Sequence, residues 1–264
     1  MQRRQFLEAS LAASALALAK SGGAQSAPPH AREYYLVRRY HLQSGPQTKL
    51  AEDYFGGALI PALTRMGIGP VGVFSLGLGP ETPSYTTLIA GTSIEALAEL
   101  DLKLAQDTEF LKGAQPFWSA PAIAPAFDRV ESSLHVAFEG WPKLTLPAAS
   151  ATKGKRIFQW RTYESPSFAA HVRKVEMFHA GEFDIFKAAG FHPVFFADTL
   201  VGPRMPNLTY MVTFTDSTEM DAKWDVFRND PAWKKLSSDT RYSYEAIVSN
   251  ITNLVWSPLA CSQI

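Results

Sequence analysis

Two kinds of apolar spacing alternate along this chain, and they follow one another in the same order twice. Segments with a period of two predict β-strands, and segments with apolar residues three and four positions apart predict amphipathic helices. The order is strand, helix, strand, strand, helix, strand, over residues 33–142 and again over residues 156–264. This βαββαβ order is typical of a ferredoxin-like unit, in which two helices cover one face of an antiparallel sheet.

The strands are predicted from runs of aromatic and β-branched residues. They are residues 33–42, 70–78, 85–90 and 127–138 in the first unit, and 156–163, 193–201, 208–214 and 244–255 in the second. In the first helix of the first unit, Gly56, Gly57 and Pro61 predict a bend or an interruption. Residues 143–155 are predicted to be the linker between the units, because their second part is rich in Ala, Ser, Thr and Gly.

The two units are related by an internal repeat. A shift of 123 positions aligns residues 34–112 with residues 157–235 without a gap, and 14 of the 79 pairs are identical. About 5 identities would be expected for unrelated sequences of ordinary composition. Because one unit leaves a sheet face uncovered, we expect an α+β fold in which two tandem ferredoxin-like units form an intrachain dimeric α/β barrel.

The first strand of each unit has two unlike faces. The apolar face, which we expect against the helices, carries Tyr35 and Val37 in the first unit and Phe158 and Trp160 in the second. The other face carries Arg38 and Tyr40 in the first unit and Arg161 and Tyr163 in the second. An arginine binds carboxylate or phosphate with a fork of donors, and a phenol donates or transfers a proton. These four are the main ligand-binding candidates; alternatively, they bond to one another at the seam between the sheets.

The other candidates are aromatic or basic side chains. Trp160 belongs to the core or stacks on a flat ligand. His171 and His179 lie on one helix, two turns apart, so they can line one side of a cavity but cannot share a metal as an i, i+4 pair can. Solvated or capping histidines are the alternative, and His171 is the better placed of the two for a haem. The sequence contains no metal-binding motif, nucleophile elbow or phosphate loop, so no metal and no cofactor is predicted and catalytic residues stay unknown.

Charge and composition limit the classes of binding partner that we expect. The formal net charge is zero, which favours no nucleic acid or anionic membrane partner. No apolar run reaches the roughly 20 residues that cross a bilayer, so stable membrane insertion is not expected. Cys261 is the only cysteine, which excludes an intrachain disulfide. A small-molecule ligand is the expected partner, and formation of a homodimer is left open.

The N-terminus has the order of an export signal. Arg3-Arg4 precedes Phe6-Leu7 and a weakly apolar run of small residues, and this order resembles a twin-arginine signal. Small residues at Ala24 and Ser26 place the cleavage after position 26. We therefore expect residues 1–26 to be a signal peptide and the protein to be periplasmic or secreted.

Three motifs resemble the NIPSNAP family, within the dimeric α/β-barrel group. They are Arg-x-Tyr in the first strand, Gly-x-x-Pro-Val before the second, and Asn-Asp-Pro-Ala-Trp at residues 229–233. The first unit departs from the last motif, and the family's acidic residue in the first strand is Leu36 in one unit and Gln159 in the other. The resemblance covers residues 33–138 and 156–258 and implies the barrel fold. The wider group includes cofactor-free monooxygenases, haem enzymes and lactone isomerases, so fold alone selects no activity.

Two functional hypotheses follow. The first is an exported NIPSNAP-like protein that binds a small ligand, or a partner, through its barrel. The second is a cofactor-independent oxidase, monooxygenase or isomerase that acts on a small aromatic or carbonyl compound in the barrel cavity. In the second hypothesis a tyrosine or histidine carries the proton and an arginine orients an anion.

Overall fold

The chain folds into a closed eight-stranded antiparallel β-barrel with helices packed on its outside, as a computed structural model shows. The structure describes residues 32–79 and 81–264. The predicted signal peptide, residues 1–26, lies outside the described residues. In the described part, no helix has both the length and the apolar character needed to cross a bilayer.

The elements follow the predicted order closely. The strands are β1 (Tyr34–His41), β2 (Val71–Leu76), β3 (Ser84–Gly91), β4 (Arg129–Ala137), β5 (Ile157–Glu164), β6 (His192–Val201), β7 (Asn207–Phe214) and β8 (Asn250–Pro258). The helices of the first half are α1 (Pro46–Tyr54), α2 (Ile60–Arg65), α3 (Ile94–Ala98), α4 (Leu100–Leu104) and α5 (Thr108–Trp118). The remaining helices are α6 (Ala148–Ala151), α7 (Phe168–Met177), α8 (Phe183–Ala188), α9 (Ser217–Asn229), α10 (Pro231–Ser237) and α11 (Tyr244–Ile247).

The barrel closes where the two halves meet. Around the barrel the strands follow the order β1-β3-β2-β8-β5-β7-β6-β4. Strand β2 pairs with β8, and β4 pairs with β6, both antiparallel. These two seams supply partners for backbone groups that would otherwise be left unpaired at the sheet edges. The barrel interior is therefore enclosed by both halves of one chain.

The faces of the first strands are the reverse of the prediction. The apolar face lies inside the barrel, where Tyr35, Phe158 and Trp160 pack in one cluster and Val37 contacts it. The opposite face lies beneath the helices, so Tyr40 belongs to the outer core of the first half. No residue of β1 or β5 is exposed, because helices cover one face of these strands and the far wall of the barrel covers the other. The apolar character of a face therefore does not show whether that face points into the barrel or towards the helices.

Each half has a π-helical segment at the same place in its first helix. In the first half it spans Phe55–Leu59, between α1 and α2, and in the second half Phe178–Glu182, between α7 and α8. The interruption predicted from the glycines and Pro61 of the first half is confirmed. Segments of this kind widen a helix locally and often lie at functional sites.

The end of the second half differs from the prediction, since β8 begins at Asn250 instead of residue 244. Residues Tyr244–Ile247 form the helical turn α11, and the side chain of Ile247 is buried with Met177 and Tyr242. Burial of that apolar cluster holds the segment over the outer face of the sheet, so it cannot continue the strand. The predicted linker is packed as well, with the amide of Thr145 donating to the carbonyl of Val194 at 2.8 Å.

Residues 262–264 pack against β2 and the barrel interior. Ile264 is fully buried in the interior cluster, and the amide of Val73 donates to the Ser262 hydroxyl at 3.0 Å. Removing buried methyl groups at such a position loses transfer free energy and leaves a cavity.

We expect Ile264→Ala to lower the free energy of unfolding by about 2–4 kcal/mol, because the cavity lies in a packed core. Urea denaturation measures the change. Ile123→Ala is the matched control, since Ile123 is 96% exposed and its replacement should change stability by less than about 0.5 kcal/mol. Equal stability of the two variants would contradict the role of Ile264.

Candidate functional site

The seven predicted site residues lie in different parts of the structure. Arg38 and Tyr40 line a cavity between the sheet and the helices of the first half. Arg161 and Tyr163 line a separate cavity beneath the helices of the second half. Trp160 faces the barrel interior and lines a third cavity there. The arginines and tyrosines of the two first strands therefore line two separate outer cavities and do not share one pocket.

The cation of the first-half cavity is neutralised within the chain. The two Nη atoms of Arg38 donate to the carboxylate of Asp101 at 2.8 and 2.9 Å. Tyr40 is 3% exposed and packs edge-on against Phe55, with 5.0 Å between the ring centroids. Burial raises the pKa of Tyr40, and the nearby Arg38 opposes that rise. This cavity contains about 350 Å³, but its arginine already holds a carboxylate.

The two predicted histidines bond to different segments. The Nε2 of His171 contacts the carboxylate of Asp198 on β6. His179 donates from Nδ1 to the carbonyl of Val175 at 2.9 Å, and its Nε2 accepts from the amide of Gly140 at 3.1 Å. His179 therefore holds its helix against the segment after β4. Among residues 32–79 and 81–264, no three His, Cys, Asp or Glu side chains are grouped as metal ligands.

The barrel interior contains a cavity of about 150 Å³ near the barrel end from which β4 and β7 begin. Its apolar walls are Val37, Trp160, Leu254 and Trp256. Its polar lining includes Arg39, Thr86, His135, Thr199, Arg204, Asn207, Thr209 and Thr252. Small-molecule sites combine aromatic and aliphatic walls with polar groups that fix the orientation of the ligand, and this cavity has both. We take this barrel cavity as the candidate functional site.

Strand alternation places these side chains. In β1, Val37 and Arg39 point inward, whereas Arg38 and Tyr40 point outward, because successive side chains lie on opposite faces. The pairing of β4 with β6 contains a register shift between Leu134 and His135. Irregularities of this kind turn a side chain locally and occur often beside binding sites.

His135 is the centre of a buried hydrogen-bond chain. The Thr199 hydroxyl donates to Oδ1 of Asn207 at 2.5 Å, so it accepts from Nδ1 of His135 at 3.0 Å. The Ser133 hydroxyl then donates to Nε2 of His135 at 2.7 Å. The Asn207 amide donates to the carbonyls of Pro203 and Arg204 at 3.0 Å each, which ties the chain to the β6–β7 hairpin. Burial lowers the pKa of His135 to about 4.

Arg39 is the cation that enters the barrel cavity. Its guanidinium lies over the ring of Trp256, 5.5 Å from the centroid, and its only hydrogen bond to a described residue is a long one to the Ser84 hydroxyl, at 3.5 Å. Its Nε and the hydroxyl of Thr86 are buried without a hydrogen-bond partner among the described residues. Burial lowers the pKa of Arg39, although Glu131 and Glu81 oppose that effect.

The second arginine of the cavity comes from the hairpin. Arg204 donates from Nη1 to the Thr252 hydroxyl at 2.8 Å, and Glu164 is 3.9 Å away. The carboxylates near Arg39 are engaged elsewhere: Glu131 lies 3.3 Å from Nε2 of His41, and Glu81 accepts from Arg129 at 2.7 Å. In the described part of the chain no carboxylate lies within 4 Å of Arg39.

The sequence analysis did not single out Arg39, His135, Arg204 or Trp256 as site residues. Strand periodicity could have indicated Arg39, because it lies two positions after Val37 on the face that carries the apolar residues. The other three come from strands and a hairpin that are distant in the sequence. Only closure of the barrel brings them together.

Comparison with known proteins finds a family model that matches the second half of the chain, and solved structures that share its fold. The NIPSNAP family model matches residues 158–263. A proposed monooxygenase from Lactobacillus acidophilus is 7% identical, with 86% of this chain and 94% of that chain covered and a TM-score of 0.54. A proposed monooxygenase from Fusobacterium nucleatum is 9% identical, with coverages of 87% and 94% and a TM-score of 0.53.

An anthrone oxidase-like protein is a third structural neighbour. It is 10% identical, with 88% of this chain and 93% of that chain covered and a TM-score of 0.51. No curated protein matches the chain. At these identities the neighbours show only that the fold is shared, which here is the α/β barrel over most of the chain.

We expect His135 to make stability depend on pH between about 6.5 and 4. Its folded pKa of about 4 lies below the ordinary 6.5, so the folded state resists protonation. The stabilisation is complete above pH 6.5 and is lost as the pH falls towards 4, a change of about 3 kcal/mol for this shift. Urea denaturation from pH 7.5 to 4.5 measures it.

The control separates His135 from the other titrating groups. His135→Gln should flatten this part of the pH profile, whereas His192→Gln should keep the profile of the parent protein because His192 is exposed. If His135→Gln retained the full pH dependence, the low pKa would be wrong.

Proposed function

Given that the chain carries a NIPSNAP domain over residues 158–263, we propose that the protein binds a small, flat molecule with a carboxylate group inside its barrel. One observation carries the proposal: the half-buried Arg39 guanidinium lies over Trp256 in the barrel cavity and has no carboxylate partner among the described residues. A half-buried cation whose Nε has no acceptor is incompletely stabilised, and an anionic ligand would supply the missing partner.

The charges of the cavity favour an anion. Arg39 and Arg204 both line it, and Glu131 is the carboxylate that lies with them. Glu131 lies 3.3 Å from Nε2 of His41 and forms no ion pair within 4 Å with either arginine among the described residues, so neither guanidinium has a direct carboxylate partner. A carboxylate fits the planar donor fork of a guanidinium, so this group of the ligand would bind at Arg39.

The walls of the cavity favour a ligand with a flat aromatic ring. Trp160 and Trp256 are 8% and 3% exposed and present their rings to the same space. The indole of Trp160 is fixed by its hydrogen bond to the Thr209 hydroxyl at 2.6 Å. Aromatic walls stack on flat apolar ligands, and a cavity of about this size accommodates one benzene ring. The ligand class is therefore a single-ring carboxylate.

The alternative is oxidation or isomerisation of a small aromatic or carbonyl compound in this cavity. Two structural neighbours are proposed monooxygenases, and they support this alternative only because they share the fold. Such a reaction needs a group that is free to take up a proton. His135 uses both ring nitrogens in hydrogen bonds and has a pKa of about 4, so the cavity supports binding better than catalysis.

We also propose that the two halves are tandem ferredoxin-like units. In each half the strands follow the order fourth, first, third, second across the sheet, which supports a duplicated unit. The internal repeat and the π-helical segments at equivalent positions support the same interpretation. An experimental structure in which the two halves differed in strand order would contradict it.

The binding proposal predicts that the protein binds benzoate and that Arg39→Gln weakens the affinity roughly tenfold or more, because the charged hydrogen bonds are lost. Isothermal titration calorimetry measures both. Arg173→Gln is the matched control, since Arg173 is exposed and does not line the cavity, and its affinity should be unchanged.

Two results would contradict the binding proposal. One is the absence of benzoate binding at millimolar concentration by the folded parent protein. The other is equal affinity of Arg39→Gln and the parent. Binding of toluene with the affinity of benzoate would show that the cavity recognises the ring without the carboxylate.

We further propose that the protein is exported and loses residues 1–26. The support is Arg3-Arg4 before Phe6-Leu7 and the small residues at Ala24 and Ser26. In a bacterium with twin-arginine export, intact mass spectrometry of the periplasmic fraction should give a chain that starts at Ala27. The variant with Arg3→Lys and Arg4→Lys should stay uncut in the cytoplasm, and its normal processing would contradict this route.

A further inference from the structure

The two outer cavities have equivalent positions but different chemistry. The shift of 123 residues that aligns the halves pairs Arg38 with Arg161 and Tyr40 with Tyr163. In both halves the arginine points from the first strand into the space beneath the helices. The same shift pairs Asp101 with Trp224. The residue that neutralises the first arginine is therefore an indole in the second half.

Arg161 has no carboxylate partner in the part of the chain that the structure describes. Its guanidinium lies over the ring of Trp224, 4.6 Å from the centroid, and its Nη2 donates to the Tyr163 hydroxyl at 2.8 Å. Among the described residues no carboxylate lies within 4 Å of it, and its Nε is buried without an acceptor. Trp224 is held in place because its indole N–H donates to Oε1 of Gln159 at 2.6 Å.

The one acidic side chain in the wall of this cavity is engaged elsewhere. Glu182 accepts from Nζ of Lys174 at 2.9 Å, and both side chains are 4% exposed. The corresponding residues of the first half are Ala51 and Leu59, so the ion pair belongs to the second half alone. Arg161 and Lys174 carry two positive charges against the single negative charge of Glu182, so the cavity keeps an excess of positive charge.

Tyr210 adds a buried hydroxyl beside Arg161. It lies opposite Arg161 in the β5–β7 pairing, it is 0% exposed, and its hydroxyl has no hydrogen-bond partner among the described residues. Burial raises its pKa well above the ordinary value, so the hydroxyl stays protonated. A buried hydroxyl without an acceptor is destabilising, and a ligand that accepts its hydrogen bond would remove that cost.

We propose that this second-half cavity is a separate binding site for an aliphatic carboxylate. Arg161 would bind the carboxylate, and the Tyr210 hydroxyl would donate to it. The cavity contains about 250 Å³, which exceeds the barrel cavity and fits a longer molecule. Its far side is lined by Met177, Ile247, Val248 and Ile251, which suit a hydrocarbon chain.

Octanoate is the probe, and calorimetric titration of the full chain is the measurement. We expect the parent protein to bind octanoate, and Arg161→Gln to weaken binding roughly tenfold or more through loss of the charged fork. Trp224→Asp should weaken it comparably, because the new carboxylate would occupy Arg161 as Asp101 occupies Arg38. Arg38→Gln is the matched control from the first half and should bind octanoate like the parent.

Further variants and a second readout make the result decisive. Arg39→Gln should lose benzoate binding but keep octanoate binding, which separates this site from the barrel cavity. If Arg161→Gln fails to fold, as near-ultraviolet circular dichroism would show, the indole N–H resonance of Trp224 in the parent protein should still shift on addition of octanoate. Absence of octanoate binding, absence of that shift, or unchanged affinity in folded Trp224→Asp would overturn the proposal.

Discussion

Closure of the barrel is the constraint on which the rest of the structure depends. Each half ends in strands whose outer edges carry unpaired backbone groups, and the seams β2–β8 and β4–β6 satisfy them. Closure also covers the inner face of every strand with the opposite wall. As a result β1 and β5 have no exposed residue on either face, and their polar side chains must find partners or line a cavity.

This double burial explains why adjacent arginines have different surroundings. Arg38 and Arg39 follow each other in β1, so alternation sends one outward beneath the helices and the other into the barrel. The outward arginine has a carboxylate partner in Asp101, and the inward one has the face of Trp256. Arg161 resembles Arg39 in this respect, although it points outward, because Trp224 replaces the acid.

The polar interior is organised by hydrogen bonds rather than by charge pairs. Ser133, His135, Thr199 and Asn207 form one chain in which each donor has an acceptor. The chain joins the two halves across the β4–β6 seam and fixes the hairpin that carries Arg204. Satisfied networks of this kind make a buried polar site rigid, which favours a preformed cavity. The proposed ligand would then bind with little rearrangement.

The sequence by itself determined the positions of the strands and the main helices, because periodicity, caps and helix-breaking residues act locally. Ser93 and Asp216 cap their helices by accepting from the amides of Ala96 and Glu219, and the interruption predicted near Gly56 is a local effect of the same kind. The sequence also identified Arg161 as a candidate cation for ligand binding. Local signals, however, do not say which covered face of a strand is the inside.

Only the tertiary structure decided how these residues are grouped. It separated Arg38 from Arg161, assigned Trp160 to the barrel interior, and brought Arg39, His135 and Arg204 to one cavity. These neighbours come from strands far apart in the chain, and their distances depend on register and on closure at the seams. The physical reason is that a strand's own sequence sets the alternation of its side chains, whereas the partner strand and the opposite wall set what each side chain meets.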